Sequence, residues 1–349
     1  MKRLMKKCIE NIRAYEVIEE EYDIKVDANE SPYNILNELA PIILKDIVSK
    51  ELNRYPDSEA VQLKKKIADY TGINTENIMC GNGSDELLKV IIDCFVDKGD
   101  VVVTHSPSFV MYRLITEIAG GKFIELSGDE SFSIDIDRII STANENDAKL
   151  IFLCNPNNPT GTLIPRDEII RVLENTSSIV VVDEAYYEFY GETIIDRIYD
   201  YKRLIVLRTL SKAFGLAALR IGYGVSAKET MDILNRVKPP YNLNSISQYI
   251  GEIVLDNIDI VHKNIETIKK DRDKLFVELE SMKDIKAIPS GSNFILIKTS
   301  RYEDLMKKFK EDKIKIKGFG TKGVLQNCIR ITIGTKEEND RILKLLKEV

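Results

Sequence analysis

Lys212 lies in the segment with the clearest potential for covalent chemistry. It follows the apolar run 204–207 in the sequence Arg-Thr-Leu-Ser-Lys-Ala-Phe-Gly, and Arg220 stands eight positions after it. A lysine just beyond a buried strand, flanked by hydroxyls and small residues, can lose its proton and act as a nucleophile. The alternative is an exposed loop lysine, which is what most lysines are.

Asp183 is the second candidate for chemistry, because it ends the apolar run 179–182. A carboxylate in that position is costly unless a positive partner compensates for the lost water. A protonated pyridine nitrogen would be such a partner, whereas a simple helix N-cap is the alternative. Tyr186 follows in the same segment, Asp-Glu-Ala-Tyr.

The loop 80–86, Cys-Gly-Asn-Gly-Ser-Asp-Glu, has the composition of an anion-binding turn. Its glycines let backbone amides approach a ligand, and the N-terminus of a following helix attracts phosphate. A tight turn with Ser84 as an ordinary N-cap is an equally open interpretation.

The loop 154–161, Cys-Asn-Pro-Asn-Asn-Pro-Thr-Gly, follows another buried run. Its prolines and asparagines predict a rigid connection, and the prolines have a purely structural explanation. Asn155, at the tip of the strand, is the better candidate for contacting a ligand.

Strands and helices alternate along the chain in the pattern of an α/β fold. Five short runs are apolar on both faces, at 101–103, 150–154, 179–182, 204–207 and 221–225. Helix-like segments lie between them, and such runs suit a mostly parallel sheet covered by helices. Ligands of these sheets lie at the carboxyl ends of the strands, so we expect the four loops to converge on one site.

The pattern changes after about residue 247 and indicates a second, smaller α+β domain. A long charged helix at 258–282 precedes two strands of alternating character, 293–298 and 327–333. Alternation indicates that one face of the sheet is wetter. We predict a large cofactor-binding domain over 26–246 and a small domain made of 1–25 and 247–349.

The composition argues against several other classes of protein. Lysine and arginine number 50 against 56 acidic residues, a formal charge of -6, so we expect no nucleic-acid partner. Charges interrupt the apolar stretches, so we expect neither a membrane span nor a signal peptide. Five scattered cysteines and two histidines argue against a disulfide framework or a metal site and favour the cytoplasm.

Taken in order, these segments resemble the fold type I enzymes that use pyridoxal 5'-phosphate (PLP), the aspartate-aminotransferase type. The shared motifs are N-P-x-N-P-T-G, D-E-A-Y, S-K-A-F-G and an arginine eight residues past the lysine. Within this group the chain most resembles histidinol-phosphate aminotransferases, nearly end to end. The resemblance implies a large domain with a mostly parallel central sheet and a smaller α+β domain.

The resemblance also implies a role for each candidate residue. Lys212 would form the Schiff base to PLP, and Asp183 would pair with the pyridinium nitrogen so that the ring accepts electrons. Tyr186 and Asn155 would bond the phenolic oxygen of the ring, and Phe109 would stack on it. The phosphate would be held by the amides of Gly83, Ser84 and Asp85, the side chains of Thr209, Ser211 and Arg220, and Tyr55 of a partner subunit.

The implied partners are a second copy of the chain, a small-molecule amino donor and a 2-oxo acid. The reaction would interconvert histidinol phosphate and 2-oxoglutarate with imidazole-acetol phosphate and glutamate, in histidine biosynthesis. Tyr15, Asn155 and Arg330 would contact substrate. Where many members carry an arginine, this chain has Lys317, which can bind phosphate without a bidentate fork or be a solvated loop lysine.

Three other functions fit the same scaffold. The closest is an aromatic amino-acid aminotransferase, and another is a decarboxylase of the threonine-phosphate type. Decarboxylation requires the substrate carboxylate to stand perpendicular to the ring, which a sequence does not reveal. A PLP-sensing regulator would need an attached DNA-binding domain, for which we expect no room at either end.

Overall fold

The computed structural model describes residues 4–10 and 21–348, and its larger layer is a seven-stranded sheet. The strands are β2 (Ile78–Asn82), β3 (Val101–Ser106), β4 (Lys122–Ser127), β5 (Leu150–Cys154), β6 (Ile179–Asp183), β7 (Leu204–Thr209) and β8 (Ile221–Ser226). Their order is β2-β8-β7-β6-β5-β3-β4. Strands β3 to β7 run parallel and β8 runs antiparallel to both neighbours, which confirms the predicted α/β class.

The strands of this sheet are buried on both faces because helices cover both. Along β5, Ile151 and Leu153 belong to one apolar cluster, whereas Leu150 and Phe152 belong to the other. The helices of this part of the chain are α1 (Leu36–Ile47), α2 (Val61–Thr71), α3 (Ser84–Phe95), α4 (Met111–Ala119), α5 (Ile136–Glu145), α6 (Arg166–Asn175), α7 (Tyr187–Tyr190) and α8 (Lys228–Leu234).

A second sheet of five strands has the order β1-β11-β12-β10-β9. Its strands are β1 (Ile24–Val26), β9 (Ile285–Ile288), β10 (Phe294–Thr299), β11 (Ile314–Gly318) and β12 (Cys328–Thr332). Strand β1 pairs in parallel with β11, so the first strand of the described chain belongs to the smaller sheet and the next strand, β2, to the larger one. The remaining helices are α9 (Ser245–Asp256), α10 (Ile258–Glu280), α11 (Tyr302–Glu311) and α12 (Lys336–Glu348).

The predicted domain limits fall inside two of these elements. The limit at 25/26 divides β1, which belongs to the smaller sheet, and the limit at 246/247 divides α9. Helix α9 packs against α1, α2 and β8 and so lies with the larger layer. Among the described residues, no helix combines the length and the apolar composition that a membrane crossing requires.

The loops that carry chemistry meet because β5, β6 and β7 are adjacent and parallel. The amide of Asn155 donates to the carbonyl of Asp183 (2.9 Å), and the amide of Glu184 donates to the carbonyl of Leu207 (2.8 Å). The residues after these three strand ends therefore lie at one edge of the sheet, as predicted.

Candidate active site

A cavity of about 1230 Å³ lies at this edge, between the two sheets. Most of the predicted site residues line it: Ser84, Asp85, Phe109, Asp183, Tyr186, Thr209, Ser211, Lys212, Arg220, Lys317 and Arg330. Gly83, Asn155 and Tyr55 do not line it, and Tyr15 lies outside the described residues. The structure thus brings together residues that are more than 240 positions apart in the sequence.

Lys212 projects into the cavity from the turn after β7. Its Nζ donates a hydrogen bond to the carbonyl of Ala28 (2.9 Å). Burial, followed by the positive charge of Arg330, lowers the pKa of this amine to about 8. Such an amine reaches its neutral, nucleophilic form much more readily than a solvated lysine.

Asp183 is buried at the end of β6, with 4% of its surface exposed. Burial raises the pKa of its carboxyl to about 6, against the opposing effect of hydrogen bonds from Tyr112 and the amide of Ala185. The Tyr112 hydroxyl donates to Oδ2 at 2.7 Å and the amide to Oδ1 at 3.1 Å. No basic side chain among residues 4–10 and 21–348 forms an ion pair with Asp183, and a buried carboxylate of this kind is suited to a cationic ligand.

Tyr112 is a functional residue that sequence reasoning missed. It is fully buried and stacks on Phe152, with ring centroids 4.4 Å apart. Its edge contact with Phe109, at 5.6 Å, links the ring predicted to cover the cofactor to the carboxylate predicted to face it. The signal was available, because residues three apart on a helix share a face and Phe109 precedes α4 by two residues.

The loop after β5 holds the side chain of Asn155 through two hydrogen bonds to the backbone. The Asn155 side chain is used by the backbone of Ile164, donating to its carbonyl (3.0 Å) and accepting from its amide (2.9 Å). The Nδ2 group has a second N–H, so the contact of Asn155 with the phenolic oxygen of the cofactor stays a prediction. Asn158 of the same loop lines the cavity, and its Oδ1 accepts from Arg330 Nη1 (2.5 Å).

The residues predicted to bind phosphate, called the cradle below, lie where β2 and β8 meet the start of α3. Gly83 precedes α3 with φ +78°, and a Cβ there would lie 2.5 Å from Arg220 Nη2. A Cβ at Gly222 would lie 2.3 Å from the amide nitrogen of Ser84, so glycine is required at both positions. Arg220 Nη2 also pairs with Asp85 Oδ2 at 2.9 Å.

Ser211 Oγ is buried beside this cradle, and no described residue provides it with a hydrogen-bond partner. A buried hydroxyl normally has such a partner, so its position fits a ligand oxygen. Thr209 lines the cavity from the same turn.

Arg330 and Lys317 bring two cations to the other side of the cavity. They are direct partners in the antiparallel register of β11 and β12, which puts both side chains on one face. Arg330 is buried, and its Nη2 donates to the carbonyl of Asp27 (2.5 Å). Lys317 therefore stands on a strand and not in a solvated loop, and burial lowers the pKa of its amine.

Tyr55 lies away from the cavity of its own chain. Its side chain is 81% exposed and stacks on Tyr241, with centroids 4.6 Å apart. Apart from this stacking contact, most of the Tyr55 surface is open to solvent.

The donor set of this cavity fits PLP in each of its parts. The cavity offers a lysine of lowered pKa for the aldehyde and a buried carboxylate for the pyridine nitrogen. Phe109 supplies an aromatic ring, and the cradle at Gly83 with Arg220 and Ser211 supplies donors for a phosphate. These groups stand at separate places around one cavity, as a flat ring with a phosphate arm requires.

Comparison with known proteins leads to the same chemistry. The model of the family "Aminotransferase class I and II" matches residues 23–346. The histidinol-phosphate aminotransferase of Clostridium novyi is 42% identical over 347 residues, covering 99% of this chain and 97% of the relative. That of Pyrococcus furiosus is 39% identical over 341 residues, with 97% and 96% covered.

Among solved structures, the histidinol-phosphate aminotransferase of Sinorhizobium meliloti in complex with pyridoxal-5'-phosphate has the same fold. Its TM-score is 0.85 at 24% identity, covering 94% of this chain and 91% of that chain. The family match extends from β1 to α12 and includes every element that lines the cavity. The chain belongs to the class I and II aminotransferases.

Proposed function

We propose that this aminotransferase acts on histidinol phosphate, with 2-oxoglutarate as amino acceptor. The observation that carries the proposal is the pairing of Lys317 with Arg330 across β11 and β12, at the wall of the cavity. Like charges directly opposite each other destabilise a sheet, and a bound anion between them reduces this repulsion. A phosphate monoester supplies that anion, and the relatives' names support this choice.

The same pair of cations can bind the substrates of the second half-reaction, in which 2-oxoglutarate accepts the amino group and becomes glutamate. Glutamate and 2-oxoglutarate carry a distal carboxylate, which presents two oxygens to a guanidinium much as a phosphate does. Arg330 is already held by Asn158 and by the carbonyl of Asp27, so its fork is fixed before substrate arrives. A fixed fork can accept either anion without reorganising.

The chain's own residues carry the proton transfers. When bound, PLP supplies an aldehyde that condenses with amines and a pyridine ring that accepts electrons. Lys212 Nζ would take the α-proton of the amino donor and would return it to the carbon that was the aldehyde carbon of PLP. A lysine with a pKa of about 8 can act in this way near neutral pH. Asp183 holds a proton on the ring nitrogen, and Tyr112 holds Asp183 in place.

Amino-donor profiling tests the proposed substrate. The PLP form is mixed with histidinol phosphate, histidinol, phenylalanine, tyrosine or threonine phosphate, and the cofactor absorbance is followed through a single half-reaction. We expect histidinol phosphate to react with the highest kcat/KM and histidinol far more slowly. A preference for phenylalanine or tyrosine would favour the aromatic aminotransferase, and carbon dioxide release from threonine phosphate would favour the decarboxylase.

Lys317→Ala should slow the half-reaction of histidinol phosphate and spare that of phenylalanine. A hydrogen bond to a charged group contributes about 1.5–3 kcal/mol, so we expect a loss of roughly tenfold or more in kcat/KM for the phosphorylated donor. Lys317→Arg is the matched control, since it keeps the charge and should retain most of the rate. Equal losses with both donors would remove the phosphate role.

Arg330→Ala serves as the reference for that experiment. It should impair the donor and the acceptor half-reactions together, because one guanidinium binds both anions. The ratio of the two effects therefore separates a phosphate-specific residue from a shared one.

We also propose a homodimer in which Tyr55 reaches the partner's phosphate site. Exposed apolar side chains along α1 and the segment after it support a covered surface: Leu44, Val48, Leu52 and Tyr55 are 64%, 86%, 66% and 81% exposed. Apolar surface of this kind on one side of a chain indicates an interaction site.

Subunit exchange should reveal the shared site. Mixing inactive Lys212→Ala with impaired Tyr55→Ala produces hybrids in which one site has both residues, so activity should rise to about a quarter of the wild-type value. Each variant alone, incubated identically, is the control. No gain after exchange has been verified by mass spectrometry would show that Tyr55 serves its own chain or none.

A cytoplasmic location completes the proposal. The five cysteines are all free thiols in the structure, and three of them are buried. Scattered buried thiols are typical of proteins in a reducing compartment.

A further inference from the structure

Three consecutive residues after β1 contact three different groups of the active site. The carbonyl of Asp27 accepts from Arg330 Nη2 (2.5 Å), and the carbonyl of Ala28 accepts from Lys212 Nζ (2.9 Å). The next residue uses its side chain, since Asn29 Nδ2 donates to the hydroxyl oxygen of Tyr186 (2.8 Å). The first two contacts use backbone that any sequence has, whereas the third depends on an amide side chain.

Hydrogen bonds hold both the backbone and the side chain of Asn29. It is 1% exposed and has φ +56°, a conformation that asparagine tolerates better than most residues. Its amide donates to Thr332 Oγ1 (3.1 Å), its carbonyl accepts from Asn293 Nδ2 (3.0 Å), and its Oδ1 accepts from Thr332 Oγ1 (3.1 Å). The side chain therefore has a fixed position between the smaller sheet and Tyr186.

The contacts with Thr332 also determine which end of the amide faces Tyr186. Thr332 Oγ1 already accepts from the backbone amide of Asn29, so its own proton is available for Asn29 Oδ1. With the amide reversed, the hydroxyl would receive two N–H donors, and its buried proton would have no recorded acceptor among the described residues. Unsatisfied buried donors are costly, which favours Nδ2 toward Tyr186.

Tyr186 is thereby left with a proton to donate. Its hydroxyl accepts from Asn29, and no acceptor for the hydroxyl proton is recorded in the described part of the chain. Burial raises the pKa of Tyr186, so the phenol keeps its proton. Tyr186 lines the cavity, so a ligand bound there can accept this proton.

We propose that Asn29 is a positioning residue that fixes the direction of the Tyr186 hydrogen bond, so that the hydroxyl proton points to the phenolic oxygen of the cofactor. Thr332 determines the orientation of the Asn29 side chain. It belongs to β12, the strand that also carries Arg330. The proposal rests on PLP occupying the cavity with Tyr186 beside its phenolic oxygen. It does not depend on which amino donor is used.

The test is a pH titration of the bound cofactor's absorbance, without any amino donor. The absorbance reports the apparent pKa of the nitrogen that joins Lys212 covalently to the cofactor. This pKa is low when the phenolic oxygen is stabilised as an anion. Tyr186→Phe should raise this pKa by about one pH unit, the size expected for losing a hydrogen bond to a charged group. Asn29→Asp should raise it as well, because a carboxylate only accepts hydrogen bonds and would draw the Tyr186 proton away.

Each substitution is measured in the wild-type and in the Tyr186→Phe background. A new charge at residue 29 acts in both backgrounds, so only the difference between them reports an effect that passes through Tyr186. We expect Asn29→Asp to shift the pKa by clearly more in the wild-type background. Asn29→Gly suits the positive φ and adds no charge; it should shift the pKa in the wild-type background and leave it unchanged beside Phe at 186.

Thr332→Val tests the same link without altering the segment 27–29. It should move the pKa in the direction of Asn29→Gly, whereas Thr332→Ser should leave it near the wild-type value. Equal shifts in both backgrounds, or no shift from any variant at residue 29, would overturn the proposal and leave Asn29 a structural residue. Since no substrate is present, this result is independent of the donor profile.

Discussion

Lys212→Ala should abolish amino transfer while the protein stays folded. The side chain makes one hydrogen bond, to a backbone carbonyl, so its loss removes little packing. Without the amine there is no group to take and return the α-proton, and we expect a fall in kcat of at least roughly 10⁴-fold. Single-turnover absorbance with the amino donor measures the loss, and thermal unfolding checks the fold.

Lys212→Arg is the matched control for this variant. It keeps a positive charge near Arg330 and Arg220 but offers no amine that can condense with an aldehyde. Both variants should still bind PLP without a covalent bond, through the cradle at Gly83 and Arg220. Substantial turnover by Lys212→Arg would show that the residue acts only through its charge.

Asp183→Asn should be the second largest effect, a loss of at least roughly a hundredfold in the chemical step, like the removal of other buried electrostatic stabilisers. The amide has nearly the same shape and can keep the hydrogen bond with the backbone amide of Ala185. It cannot stabilise a proton on the pyridine nitrogen as a carboxylate does. Single-turnover proton removal, compared with PLP affinity, separates this loss from weaker cofactor binding.

Tyr112→Phe should cause a smaller loss than Asp183→Asn and serves as the comparison for it. It removes one hydrogen bond to Asp183 but keeps the stacked ring on Phe152, so we expect a loss of about tenfold or less. Loss of that hydrogen bond should also raise the pKa of the Asp183 carboxyl further in the protein without cofactor, because the bond favours the charged form. If Asp183→Asn were no slower than Tyr112→Phe, Asp183 would be a structural residue.

The central strands could be predicted because their runs are short and apolar at every position. Runs such as 150–154 and 179–182 have the length of a strand and not of a helix, and a strand covered on both faces buries every residue of such a run. The edge strands β2 and β4 were missed for the converse reason. Strand β2 contains Gly81 and ends at the exposed Asn82, and β4 is only partly buried.

The positions of the site residues could be predicted where a strand end defines them. Asp183 and Lys212 follow adjacent parallel strands, so the sheet brings them together whatever the loops do. The loop after β5 shows the limit, since Asn155 and Asn158 are chemically identical and only two residues, Pro156 and Asn157, lie between them. Local turn geometry decides that Asn155 bonds the backbone of Ile164 and that Asn158 lines the cavity.

Contacts between residues far apart in the sequence were beyond sequence reasoning. The contact of Asn29 with Tyr186 joins positions 157 apart in the sequence. Lys317 was weighed against a solvated loop because glycines follow it, yet pairing with β12 makes it a strand residue. Long-range pairing of this kind is set by the tertiary fold and leaves no local pattern.

Borohydride reduction followed by peptide mapping tests the central claim most directly. Reduction of the enzyme with PLP bound converts the linkage into a stable secondary amine, and mass spectrometry of the digest identifies the lysine that carries it. The account predicts the adduct on Lys212, in the peptide that contains Ser-Lys-Ala-Phe-Gly. An adduct on another lysine, such as Lys317 or Lys25 at the wall of the same cavity, would contradict it.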